Sequence, residues 1–272
     1  MSEGYTNIAG QRVDVPEPVV AFSGTTMGGA AYKVVGSILQ AVLLRLRAGQ
    51  EIYTESGSLS WMQDGITMNT NLQGGLGGVF KRVVAGESLF IVSYQAQRDG
   101  AEIAFASDFP GKILALNLGE GQSIIAQRGT FLVGERSVSI EIFFNRRLGA
   151  GFFGGEGLIL QRLAGPGTIF VTMDGEIVEY TLQPGERLKV DTGHVAMFEP
   201  TVQFDIEWVK GFKNILFGGE GLFFATLTGP GRVWLQTMPM SKLAGAIAGF
   251  LPRSEGKNQS FGVNLGDLLG GR

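Results

Sequence analysis

Two carboxylates, Glu156 and Glu220, stand inside near-identical stretches of this 272-residue chain. One stretch is Phe153-Gly154-Gly155-Glu156-Gly157-Leu158 and the other Phe217-Gly218-Gly219-Glu220-Gly221-Leu222, 64 positions later. Carboxylates that converge from equivalent loops have the chemistry to hold a cation or to share acid and base roles, the latter at separations up to ~9.5 Å. Glycine-rich loops can also cradle phosphate, but such loops lie between a strand and a helix, and a Walker loop needs a following Lys and Ser/Thr. Here Leu158-Ile159-Leu160 continues as strand. Both loops therefore read as structural turns or interaction loops, each glutamate accepting hydrogen bonds from glycine amides. Metal binding is not expected of them.

The other reactive side chains make no constellation. His194 is the only histidine, and its counterparts 64 and 136 positions upstream are Thr130 and Ser58, so it reads as incidental. A triad or a histidine-dependent zinc site needs further partners. Ser58 and Ser60 lack a G-x-S-x-G elbow and a nearby base. Trp61, Trp208 and Trp234 have the faces to stack a planar ligand, but their alternating spacing points to core packing. Arg232, after Gly231, is a single cation near a possible groove. No catalytic, cofactor-binding or metal residue is assigned, and the protein reads as non-enzymatic.

The elements that hold these residues are short strands. Val138, Ile140, Ile142 and Phe144 alternate with Ser139, Glu141 and Phe143, and 64 residues later Val202, Phe204, Ile206 and Trp208 alternate with Gln203, Asp205 and Glu207. Period-two spacing puts one face of each strand in the core. The same shift carries Gly165-Pro166-Gly167 onto Gly229-Pro230-Gly231, and a divergent third copy lies upstream, where Gly49-Gln50 matches Gly121-Gln122 at an offset of 72. Its glycine stretch is Gly74 to Gly78. A fixed internal period marks a repeated structural unit.

The predicted organisation is an irregular extension over 1–31, β units over 32–110, 111–175 and 176–237, and a tail over 238–272. Asp99-Gly100 and Asp174-Gly175 read as corresponding turns, and Pro110-Gly111 and Pro184-Gly185 as joins between units. Three β units can stack as a solenoid or close around a pseudo-threefold axis. Closure is preferred because it removes exposed strand edges. In the tail, Ser241 is a candidate cap for a short helix with Leu243, Ile247, Phe250 and Leu251 on one side, ended by Pro252. Leu265, Leu268 and Leu269 form a small apolar cluster suited to docking.

Bulk numbers narrow the function classes. Glycine, 43 of 272 residues, is roughly double the ~7% average and falls between apolar runs, as tight turns require. Net charge is −3, without the basic stripe of a nucleic-acid binder. Cysteine is absent, which removes disulfides and thiolate chemistry. The stretch Val34 to Leu46 is interrupted by Gln40 and Arg45 and falls short of the ~20 residues of a membrane span. The expectation is a cytoplasmic protein without a nucleic-acid partner.

Several stretches together resemble one family: Leu39-Gln40-Ala41-Val42, Gly57-Ser58-Leu59, Gly86-Glu87-Ser88-Leu89-Phe90, Pro110-Gly111-Lys112-Ile113, the paired Phe-Gly-Gly-Glu-Gly-Leu stretches, and the run Gly229 to Thr237. They resemble the bacterial branch of the altered-inheritance-of-mitochondria (mitochondrial biogenesis) family, from Tyr32 to the end of the chain. The resemblance implies an all-β, internally repeated body similar to the tryptophan-RNA-binding attenuation protein, with a short C-terminal helix and tail. It implies no catalytic residues and no cofactor. Mitochondrial relatives are linked to inner-membrane organisation, so membrane association is expected only through partners. The functional expectation is a structural or interaction scaffold that self-associates or binds a protein. The second reading is a small-ligand module using a cleft between units.

Overall fold

The computed structural model describes residues 5–6, 12–13, 19–55, 57–69, 83–84, 87–88, 91–146, 158–208 and 223–250. These residues are nearly all β-strand, in antiparallel sheets, with one C-terminal α-helix. The N-terminal region is less irregular than its sequence suggests. β1 (Tyr5–Thr6) pairs with β2 (Arg12–Val13), and β3 (Val20–Thr25) forms a hairpin with β4 (Ala31–Val35). Most of β3 is exposed, so its backbone pairing leaves no alternating apolar pattern to read.

The next region contains β5 (Ala41–Leu46), β6 (Glu51–Glu55), β7 (Trp61–Met62), β8 (Ile66–Asn69), the ribbon β9 (Val83–Val84) with β10 (Glu87–Ser88), then β11 (Ile91–Ala96) and β12 (Ala101–Ala106). Here β12 lies between β5 and β7, and β11 between β6 and β8. The middle region contains β13 (Gly111–Leu118), β14 (Ser123–Gln127), β15 (Phe131–Glu135), β16 (Ser139–Arg146), β17 (Leu158–Ala164) and β18 (Gly167–Asp174). In it β18 lies between β13 and β15, and β17 between β14 and β16. The last region contains β19 (Ile177–Leu182), β20 (Arg187–Asp191), β21 (Val195–Phe198), β22 (Gln203–Trp208), β23 (Phe223–Thr228) and β24 (Gly231–Gln236). There β24 lies between β19 and β21, and β23 between β20 and β22.

Two ladders stitch neighbouring regions together. β15 pairs with β6 through Gly134↔Tyr53, and β14 with β21 through Ile125↔Phe198. They create six-stranded sheets in the orders β13-β18-β15-β6-β11-β8 and β16-β17-β14-β21-β24-β19. The remaining longer sheets run β3-β4-β5-β12-β7 and β20-β23-β22, with β3, β7, β20 and β22 as their edges.

Three apolar cores fill the sheets. One centres on Leu44, Ile103 and Phe105, with Val133 and Phe170 reaching in from the middle region. A second holds Ile140, Leu163 and Ile169 together with Tyr53 and Trp234. The third packs Phe198, Val202 and Leu227 against Ile125 and Leu160. Burying a side chain of this size stabilises by about 1.5–3 kcal/mol, so clusters that draw residues from two regions join those regions as firmly as the ladders do. The predicted alternation holds: Val138, Ile140, Val202 and Ile206 are buried while Ser139, Glu141, Gln203 and Asp205 face water.

Some turn assignments need correction. Asp99-Gly100 joins β11 to β12 inside the first region, whereas Asp174-Gly175 joins β18 to β19 between regions. They are not counterparts. Pro184-Gly185 lies inside the β19–β20 turn, not at a join. Asp-Gly and Pro-Gly favour a turn wherever one falls, and only strand pairing decides which strands it connects.

The helix α1 (Met240–Phe250) starts one residue before the predicted cap. Its first free amide, Met240 N, donates to Asp174 Oδ2 (3.2 Å), so a carboxylate 66 residues away does the work expected of Ser241. Lys242 pairs with Asp191 (3.3 Å). Leu243 is half-buried, while Ile247 is 53% exposed. Among the described residues no helix is long and apolar enough to cross a membrane.

Candidate functional site

A cavity of about 560 Å³ opens where the three strand regions and the start of α1 meet. Its walls come from the segments that follow β6, β14 and β20, and from the ends of β12, β18 and β24. The local structure that aims these segments is the same in all three regions. Each begins with a turn that carries the chain from one sheet to another and in which a glycine has positive φ: Gly49 (82°), Gly121 (74°) and Gly185 (79°). The residue after each glycine folds its side chain back onto the backbone. Gln50 accepts from Arg47 N (2.7 Å), Gln122 from Gly119 N (2.7 Å) and Glu186 from Gln183 N (2.8 Å). A side-chain acceptor on a turn amide fixes the exit direction of the following strand.

A second device sits at the far end of each region. The side chains of Gln63, Glu135 and Glu199 accept from the amides of Glu102 (3.1 Å), Thr168 (2.7 Å) and Arg232 (2.9 Å). These acceptors sit near the start of β12, β18 and β24. Glu135 also accepts from Gly28 N (2.7 Å), which clips the β3–β4 turn onto the body. Met27 N donates to Thr168 Oγ1 (2.8 Å) and Gln50 Nε2 to Gly28 O (2.6 Å), completing the clip beside a smaller cavity of about 270 Å³.

The large cavity has one compensated charge pair and one uncompensated acidic side. Glu55 accepts from Gln161 Nε2 (2.7 Å) and faces Arg128 (4.0 Å). Asp174 accepts from Met240 N, and burial followed by the nearby Asp108 charge holds its carboxyl above the ordinary range, against the lowering effect of that bond. Ser107 Oγ and Thr172 Oγ1 are 2.8 Å apart on the same wall. Gln127 is 9% exposed, borders the cavity, and leaves its Oε1 without a hydrogen-bond partner. A buried acceptor without a donor costs about 1–3 kcal/mol, so the site retains hydrogen-bonding capacity.

The chain belongs to the mitochondrial biogenesis AIM24 family. Its family model matches residues 32–238. The chain is 32% identical over 221 residues to an uncharacterised protein of Streptococcus pyogenes serotype M6, covering 78% of this chain and 87% of that one. It is also similar to the crystal structure of protein SPYM3_0169 from Streptococcus pyogenes, with a TM-score of 0.64 and 26% identity, covering 82% of this chain and all of that one. The AIM24 match stops at residue 238, so it leaves out the tail that the sequence resemblance included.

The sequence-predicted loop residues Gly154, Gly155, Glu156, Gly157, Gly218, Gly219, Glu220 and Gly221 lie outside the described residues, as do Leu265, Leu268 and Leu269. His194 is half-buried, its Nδ1 2.7 Å from Gln236 O; a carbonyl only accepts, so Nδ1 carries the proton. Ser58 Oγ borders the cavity and donates to Glu55 O (3.2 Å). The tryptophans divide. Trp234 is core, its indole N–H donating to Glu179 Oε2 (2.7 Å), whereas Trp61 is 50% exposed because β7 is a sheet edge with nothing packed over it among the described residues. Arg232 is engaged by Glu199 (2.8 Å) and lies 4.9 Å over the Trp234 ring, away from the cavity lining. Gln127, Asp108 and Asp174 carried no sequence signal as a site. Gln127 ends β14, Asp174 ends β18 and Asp108 lies between β12 and β13, so only the fold joins them.

Proposed function

We propose that this AIM24-family chain is a non-enzymatic binding module: three copies of one β unit arranged about a pseudo-threefold axis, with a small-ligand site where they meet. The repeat is supported by the identical order of strand pairing in the three regions and by the shared turn acceptors Gln50, Gln122 and Glu186. The observation that carries the ligand reading is the contrast between these shared devices and the cavity wall. Where the scaffold residues agree, the lining differs: Glu55 and Gln127 occupy one matched position, and Ser58 and Thr130 another. A purely architectural axis has no need for such variation, whereas an asymmetric ligand does.

A thermal-shift screen of the full chain over a broad metabolite set tests this. At least one compound class is expected to raise the melting temperature, and Ala244→Phe, which adds bulk from exposed α1 at the cavity wall, is expected to remove that shift. A screen with no hits removes the reading.

The second reading is a self-associating scaffold, favoured by the apolar side chains that α1 leaves in water, Met240 at 47% and Ile247 at 53% exposure. Light scattering on the full chain and on a chain lacking 238–272 separates the two. A concentration-dependent oligomer lost on truncation supports it, and a monomer in both removes it. We propose no nucleic-acid partner, given the net charge of −3, and a cytoplasmic protein that meets membranes only through other proteins.

A further inference from the structure

The cavity has a chemical preference of its own, an inference that rests on its assignment as a ligand site. Of its charged groups, Glu55 and Arg128 face each other, which leaves Asp108 and Asp174 as acids without an ion-pair partner among the described residues. Asp174 spends one oxygen on the Met240 amide, and Asp108 is exposed at the mouth. Gln127 Oε1 is an additional acceptor, buried at the same cavity and unpartnered. Phe109, Phe131 and Ile159 give the wall apolar surface beside the hydroxyls of Ser107 and Thr172.

We propose that the cavity takes a small organic cation, a primary ammonium on an apolar body, whose head is received by Asp108 and Asp174, with Gln127 turning its buried Oε1 towards it as a further acceptor. A primary ammonium presents three donors and no acceptor, which suits a group of carboxylate and amide oxygens. Hydrogen bonds to charged groups contribute about 1.5–3 kcal/mol, so they discriminate strongly against a neutral analogue of the same shape. A divalent metal suits the site less well. Calcium takes 6–8 oxygen ligands, and among the described residues no group of three or more His, Cys, Asp or Glu side chains is placed to hold an ion.

The test is calorimetric titration of the full chain with 2-phenylethylamine, with 2-phenylethanol and with calcium chloride. The amine is expected to bind about tenfold or more tightly than the alcohol, in line with one such charged hydrogen bond. Asp108→Asn with Asp174→Asn is expected to remove that preference while leaving alcohol binding unchanged. Asp108 is exposed, so Asp108→Asn alone carries the test if the double variant melts early, with a severalfold loss expected for the amine only. Equal binding of amine and alcohol, both blocked by Ala244→Phe, overturns the cation preference and leaves the cavity reading standing. Calcium that binds and displaces the amine overturns the choice of an organic cation. Binding of neither probe also overturns the preference, and the metabolite screen then decides the cavity reading separately.

Discussion

Glu135 and Glu199 lie 64 residues apart, and both accept the amide at the start of the strand that closes their region, yet they live in different surroundings. Glu135 is 9% exposed and takes a second amide, Gly28 N, from the N-terminal turn. Glu199 is more open and pairs with the Arg232 guanidinium at 2.8 Å. The residue opposite makes the difference: Thr168 offers a short hydroxyl to Met27 N, while Arg232 spreads its side chain over Trp234. One backbone device thus becomes a docking point in the middle region and a surface ion pair in the last. The backbone amide keeps its carboxylate acceptor at both positions, while the side chains around it differ in what they hold.

The largest expected effect comes from breaking the buried member. Glu135→Ala leaves the Thr168 and Gly28 amides without their acceptor, a cost of about 1–3 kcal/mol for each such group. Urea unfolding is expected to show a loss of about 2–5 kcal/mol, against about 0–1 kcal/mol for Glu199→Ala, as for an exposed ion pair. Equal losses would erase the distinction between the two regions. Next in size is Gly28→Ala, whose added Cβ would sit 2.5 Å from Glu135 Oε1. That oxygen must move from the Gly28 amide it accepts, so a loss of about 1–3 kcal/mol is expected, as for a hydrogen bond to a charged group, with faster amide exchange confined to β3 and β4. Exchange spread over the whole chain would mean that the clip is not a local device.

Smaller effects distinguish two carboxylates of opposite character. Lysine and threonine hydrogen bonds from Lys189 and Thr226 lower the Glu207 carboxyl below its ordinary 4.5. A lowered folded value means that this stability is present above the unfolded value and is lost as pH falls through the folded one. Glu207→Gln is therefore expected to lower the melting temperature slightly at pH 7 and not at pH 3. Asp174 is raised from 3.8, mainly by burial, so the sign reverses: its contribution is complete at low pH and declines as the group ionises. Asp174→Asn is expected to melt slightly higher than the parent at pH 7, the difference vanishing in acid. Parallel pH trends for the two variants, followed by scanning calorimetry, would refute the contrast.

Much of the fold was legible because local rules carry it. Alternation in 138–144 and 202–208 reports which face is wet, and that depends only on the pleat. The apolar run after Ser241 reports a helix. Edge strands were harder: Trp61 and β3 are paired on one side only, so an apolar residue there need not be covered and a paired strand need not look apolar. Dipeptide turns misled for a related reason, since Asp-Gly at 99–100 and at 174–175 marks the same local chemistry in different topological places.

The candidate site was not legible at all. Glu55 and Gln127 share the offset of 72, but nothing in the sequence links that pair to Asp108 and Asp174. The chain by itself determined membership in the AIM24 family, the β character, the matched offsets of 64 and 72, and the C-terminal helix, because each is written in neighbouring or regularly spaced residues. Tertiary structure alone decided which strands stitch regions together, that Asp174 caps α1, and which acids are left without partners around one cavity. Those outcomes depend on pairings between residues far apart in the chain, which burial and ladder formation select and local pattern does not encode.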